Sequence, residues 1–153
     1  MNHGQRTRRA CILVMVAGLT ACDSGTAPAP LRGEFVLTRV NESAPPVIVG
    51  RWSPGYTAVT KGTVSIQSDT LLNRMLEFVD VTPDGPDSTV WVSHFEYFGL
   101  YRRHADTLFI TYPPQESVAI FGEDTGFVSP TQLVIGLRPT LSYGSNRLVY
   151  SRR

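Results

Sequence analysis

Turn-forming residues punctuate this chain so often that no long helix fits between them, and this spacing constrains the fold more than any other feature. Asn41-Glu42-Ser43-Ala44-Pro45-Pro46, Ser53-Pro54-Gly55, Ser68-Asp69, Pro83-Asp84-Gly85-Pro86-Asp87 and Pro113-Pro114 each interrupt the backbone. Proline removes a donor and fixes φ, while glycine, asparagine and aspartate favour turn geometry. Between the turns lie short runs rich in β-branched and aromatic residues. Residues 33–40 alternate Phe35 and Leu37 against Glu34 and Thr38, and residues 63–67 place Val64 and Ile66 on one side. Further runs cover residues 47–49, 74–81, 89–101, 108–112, 117–121, 132–137 and 147–150. Residues 71–75 could form one helical turn, but the β-rich continuation through Phe78-Val79-Asp80-Val81 argues for strand. Roughly eight to nine strands at this spacing predict an all-β antiparallel domain, a barrel or a sandwich built mostly as a meander.

The N-terminus reads differently. Arg6, Arg8 and Arg9 precede the apolar run Cys11-Ile12-Leu13-Val14-Met15-Val16-Ala17-Gly18, and Leu19-Thr20-Ala21-Cys22 follows. A basic start, an apolar stretch of about ten residues and small residues before a cut describe a secretory signal peptide. Crossing a bilayer takes about 20 apolar residues, and Thr20, Asp23 and Ser24 end this run early. The small residues ending in cysteine resemble the lipobox of bacterial lipoproteins. That resemblance implies cleavage before Cys22, a diacylglycerol on its sulfur and a membrane partner held through acyl chains. Thr7-Arg8-Arg9 resembles a twin-arginine export signal only faintly, because Cys11 stands where a large apolar residue belongs. Asp23 resembles the inner-membrane retention signal of enteric bacteria, and the sequence leaves inner and outer membrane open. The expected organisation is a signal peptide over residues 1–21, the lipidated Cys22 with a tether over 22–32, and one domain over 33–153. The tether reads Asp23-Ser24-Gly25-Thr26-Ala27-Pro28-Ala29-Pro30, small residues and prolines that bury nothing. The place implied is the cell envelope, facing the periplasm or the exterior.

Removing 21 of 153 residues leaves 132, enough for one core without staples. Cys11 leaves with the signal and Cys22 is consumed by lipid, so no disulfide, thiolate metal site or thiol nucleophile remains. All thirteen acids but only eleven of fourteen basic residues survive cleavage, a balance of about −2. Nucleic acid would ask for a basic face, and anchoring falls to the acyl chains at about 0.8 kcal/mol per buried methylene.

Within the domain, Gly33-Glu34-Phe35-Val36-Leu37-Thr38-Arg39-Val40-Asn41 followed by a proline turn resembles the opening of small lipocalin-like lipoproteins. Gly62-Thr63-Val64-Ser65-Ile66, Gly99-Leu100-Tyr101 with Asp106-Thr107-Leu108, and Leu148-Val149-Tyr150-Ser151-Arg152 resemble later strands of the same family. The departures are Asn41-Glu42 for an Asn-Gly turn and Pro45-Pro46 for Leu-Pro. The resemblance implies a closed or half-open barrel, and a fold does not by itself carry an activity.

Candidate chemistry is sparse. His94 and Glu96 lie two apart on one strand face and could offer two metal ligands, but two ligands make no site. His104 with Arg102 and Arg103 reads as a solvated hairpin tip. Asp80, Asp84 and Asp87 do not match a calcium loop, and aspartates in turns usually bond their own backbone. Glu123-Asp124-Thr125-Gly126 reads as another hairpin turn. No Gly-x-Ser-x-Gly elbow, Ser-x-x-Lys pair or cysteine offers a nucleophile, so no enzyme, metal or cofactor is expected.

The functional hint is aromatic. Trp91, Phe95, Tyr97 and Tyr101 share one face of residues 89–101, while Val90, Val92, His94, Glu96, Phe98 and Leu100 form the other. Burying a charge costs more than exposing an aliphatic, so His94 and Glu96 mark the outer face. The inner aromatics then either fill the core or line a cavity for a small apolar ligand. The expectation is a non-catalytic binding module for such a ligand, or alternatively a protein-interaction module in the envelope, such as an assembly factor or protease inhibitor.

Overall fold

A computed structural model describes residues 30–113, 122–137 and 144–153. The described chain is all-β, with strands β1 (Gly33–Val40), β2 (Val47–Arg51), β3 (Tyr56–Ile66), β4 (Leu71–Asp84), β5 (Asp87–His104), β6 (Thr107–Tyr112), β7 (Gly122–Val128), β8 (Gln132–Leu137) and β9 (Asn146–Arg152). Every pairing is antiparallel, in the order β1-β9-β8-β7-β6-β5-β4-β3-β2, and β1 also pairs with β3. Eight strands therefore close into a barrel. The extra strand, β2, lies along the first half of β3, whose second half pairs with β1.

Alternation decides what enters the barrel, because successive side chains point to opposite faces. Phe35 and Leu37 on β1, Val64 and Ile66 on β3, Leu72, Leu76 and Phe78 on β4, and Leu108, Ile110 and Tyr112 on β6 are all buried. So are Leu133, Ile135 and Leu137 on β8 and Leu148 and Tyr150 on β9. An eight-stranded barrel is just wide enough for side chains to fill it, and Tyr150, Phe35, Leu72, Leu76 and Leu108 are fully buried there. Gly99 is needed for this fit. A Cβ at that position would stand 3.0 Å from Ile110, 3.2 Å from Tyr112 and 3.3 Å from Leu72.

One hairpin outgrows the barrel. β4 and β5 pair without a register shift from Leu71↔Leu100 to Asp84↔Asp87, closing on Gly85-Pro86. Gly85 has φ +59°, and a proline after it cannot follow with positive φ, which is the sign pattern of a II′ hairpin turn. β6 pairs with β5 only over Leu100–His104. At about 3.3 Å per residue, the tip stands about 40 Å along β4 from Leu72. At the opposite end Leu31 is 7% exposed and packs into the core, the Arg32 carbonyl accepts a bond from Arg152 Nη2 at 2.6 Å, and Arg32 faces Asp69 at 3.8 Å. The chain thus enters the barrel at the end away from the hairpin.

The expected turn at residues 123–126 is instead the body of β7, paired residue by residue with Phe109–Thr111 and Leu108 of β6. The reason is that Asp124 turns inward to a buried partner, Arg74, 3.8 Å away. β3 begins at Tyr56, well before the expected run at residue 63, and residues 71–75 are strand. The run expected at 117–121, the signal peptide expected over 1–21 and Cys22 lie outside the described residues.

Candidate functional site

The interior holds a charge. Arg74 follows the inward alternation of Leu72, Leu76 and Phe78 and is 4% exposed. Its Nε donates to the Tyr150 hydroxyl at 3.2 Å and its Nη1 to the Tyr112 hydroxyl at 3.4 Å. Nη1 and Nη2 both reach the Gly136 carbonyl at 3.4 Å. The carboxylate of Asp124, also buried, stands 3.8 Å from Nη1. A buried charge survives only when paired and hydrogen-bonded, and three strands (β6, β7 and β9) with the β8 backbone supply the partners of this β4 residue. Burial opposes the charged guanidinium, but the two tyrosine oxygens outweigh it and hold Arg74 protonated, its pKa above the ordinary arginine value.

The tyrosines report on this core. Burial pushes the phenols of Tyr150, Tyr112 and Tyr101 above the ordinary tyrosine value, with Arg74 opposing the rise at the first two. Tyr101 also donates to the Ser68 carbonyl at 2.9 Å. A phenol raised in the fold favours the folded state fully below the unfolded pKa of about 10, and that contribution is lost as pH climbs towards the folded value. Stability is therefore expected to be flat through neutral pH and to fall above pH of about 10. Tyrosinate absorbance should rise at these positions together with loss of the fold. Smooth ionisation of all tyrosines near pH of about 10 in a still-folded protein would contradict the burial.

The four aromatics of residues 89–101 part company. Tyr97 and Tyr101 are buried, at 4% and 3% exposure. Phe95 packs against the core from its margin, edge-to-face with Phe78 at 5.5 Å and stacked on Tyr97 at 6.3 Å. Trp91 is 67% exposed. It sits on the inward-facing side of its strand, opposite Asp80, but among the described residues the facing wall ends short of it, because β6, β7 and β8 have six or seven residues against eighteen in β5. Trp91 lies outside the barrel, so the interior aromatic face ends at Phe95.

The polar candidates are dispersed. His94 Nε2 meets Glu77 Oε2 at 3.0 Å, whereas Glu96 accepts from Asn73. Glu77 is held below the usual carboxylate range by the Thr60 hydroxyl donating at 2.6 Å, helped by Lys61 and His94. Asp80 accepts from Thr57 at 2.6 Å, while Asp84 and Asp87 flank the hairpin turn. Arg103 bonds the Ala105 carbonyl at the hairpin beside His104. Among the described residues no three His, Cys, Asp or Glu side chains converge to hold a metal.

Apolar surface collects on the outside. Leu100, Phe109 and Phe127 are 54%, 44% and 60% exposed on three adjacent strands. Leu100 opposes Thr111, Phe109 opposes Arg102 and Thr125, and Phe127 opposes Thr107. Each is thus the diagonal neighbour of the next, at about 7–8 Å, within reach of aromatic side chains. Val90 and Val92, both 55% exposed, continue the same face up the hairpin. A separate groove of about 350 Å³, lined by Val36, Thr38, Thr63, Ser151, Arg152 and Arg153, opens to solvent where β1 meets β9. Comparison with protein-family models, curated proteins and solved structures finds no match to this chain.

Proposed function

We propose that this chain is a lipid-anchored protein of a bacterial cell envelope, tethered through Cys22, whose barrel is a non-catalytic module that binds a partner protein on its outer face. The anchor rests on the lipobox-like run before Cys22. The reading of the barrel as lipocalin-like rests on the motif at residues 33–41 and is compatible with eight antiparallel strands closing on one core. One observation carries the choice of an outer site: the interior is occupied by its own side chains around Arg74, while Leu100, Phe109 and Phe127 are left in water. Soluble domains rarely leave such contiguous apolar surface without a partner. A carrier of a small apolar ligand would instead ask Phe95, Tyr97 and Tyr101 to line empty space, and Tyr101 already spends its hydroxyl on Ser68.

A photoreactive residue in place of Phe109, in the full chain in its native envelope, is expected to capture one protein, and the same residue at the exposed Arg39 is not. Phe109→Asp should weaken binding of the purified partner by roughly tenfold or more, as loss of an interface anchor does. Equal capture from both positions, or saturable uptake of an apolar fluorophore that Tyr97→Ala abolishes, would refute the proposal in favour of non-specific contact or a carrier.

A further inference from the structure

We propose that two copies of this chain pair through the outer edge of β5, antiparallel and about a two-fold axis at Val92. This goes beyond the partner reading and does not depend on it. The backbone indicates which groups are available. Tyr101 N–H bonds the carbonyl of Thr70, on the β4 side. With no register shift along β4–β5, the odd residues of β5 turn their backbone groups towards β4. Ser88, Val90, Val92 and His94 then turn theirs to the other side, because the direction alternates along a strand. Among the described residues β6 covers that side only at Leu100–His104.

Among the described residues the edge at β2 is blunted by Pro45 and Pro46 before it and a register shift between Ile48 and Gly50. Residues 88–96 have none of these devices: no proline, no lysine and no bulge. They carry Val90, Trp91 and Val92 at 55%, 67% and 55% exposure. An unblunted apolar edge recruits another strand, and a two-fold axis makes an antiparallel edge its own complement.

Charge sets the register. With Val92 on the axis, Glu96 faces Ser88, His94 faces Val90 and Trp91 faces Ser93, so no carboxylate opposes another and each indole has a small neighbour. The even residues opposed in this register are those with outward N–H and C=O groups, as hydrogen-bonded pairs require. The two barrels point in opposite directions along the paired strands. Both anchors reach one membrane when the hairpins lie along it, which the nine residues from Cys22 to Pro30, about 30 Å when extended, allow.

The test is Val92→Cys in the full chain, oxidised in the envelope and run without reductant. Cα atoms of a hydrogen-bonded antiparallel pair stand about 5.5 Å apart, within disulfide range. The bulk of Val92→Cys should run at twice the mass of the chain, while the unsubstituted chain and Ile48→Cys, exposed on β2, stay monomeric. In a second measurement, sedimentation of the detergent-extracted chain should give a dimer that Val92→Lys converts to monomer. A monomeric Val92→Cys, a cross-link to a different protein, or a dimer formed equally by Ile48→Cys would overturn the pairing. The partner reading would stand untouched, because it is probed at Phe109.

Discussion

Replacing Arg74 with methionine is expected to destabilise the protein by about 3–5 kcal/mol, the cost of leaving one half of a buried ion pair behind. The side chains are close in volume, so the loss is mainly electrostatic rather than a cavity. Asp124 would lose the cation 3.8 Å away, and the Gly136 carbonyl and the hydroxyls of Tyr112 and Tyr150 would lose their donor. Adding Asp124→Leu to the same chain should recover much of the loss, because a buried pair replaced by apolar groups is often neutral. Denaturant midpoints of the three proteins measure both steps. A single-variant loss under about 1 kcal/mol would mean that water reaches the guanidinium and the core is not closed around it.

A comparable loss is expected from Phe35→Ala, about 3–5 kcal/mol, because its ring is fully buried in the core. Trp91→Ala removes a larger ring but should stay within about 0.5 kcal/mol in a monomer, since most of that ring is already in water. The contrast separates the barrel from its overhang within one aromatic residue type class. Equal losses at the two positions would place Trp91 in a core that the geometry ends at Phe95.

The sequence makes the walls of this barrel legible and hides its centre. Period-two alternation and turn residues locate β1, β6, β8 and β9 within a residue or two, because each run is short, β-branched and bounded by a turn. The outer face of β5 was readable from His94 and Glu96, and Phe98 and Leu100 follow from it. Arg74 was equally in phase with Leu72, Leu76 and Phe78, but a lone charge in an apolar alternation reads as a solvent residue until a counter-charge is known. Its partner Asp124 lies fifty positions away, in Glu123-Asp124-Thr125-Gly126, whose composition is that of a turn. Tertiary pairing overrode local propensity there, as it does when a buried charge needs company. The exposure of Trp91 was hidden for another reason. Strand alternation fixes the face of a side chain but not whether a wall stands opposite, and that depends on the lengths of β6, β7 and β8. Phe127 is hidden with it, because the turn-like composition of Glu123-Asp124-Thr125-Gly126 masks β7.

The most direct test of a tethered, solid-cored module is the intact mass of the protein released from its own membrane in mild detergent. The account predicts a chain beginning at Cys22, heavier by its acyl groups, with no apolar molecule bound per chain beyond them, and Cys22→Ser should leave uncut, unacylated precursor. A mature chain that begins elsewhere without acylation, or a lipid held non-covalently at one per barrel and lost in Tyr97→Ala, would contradict it.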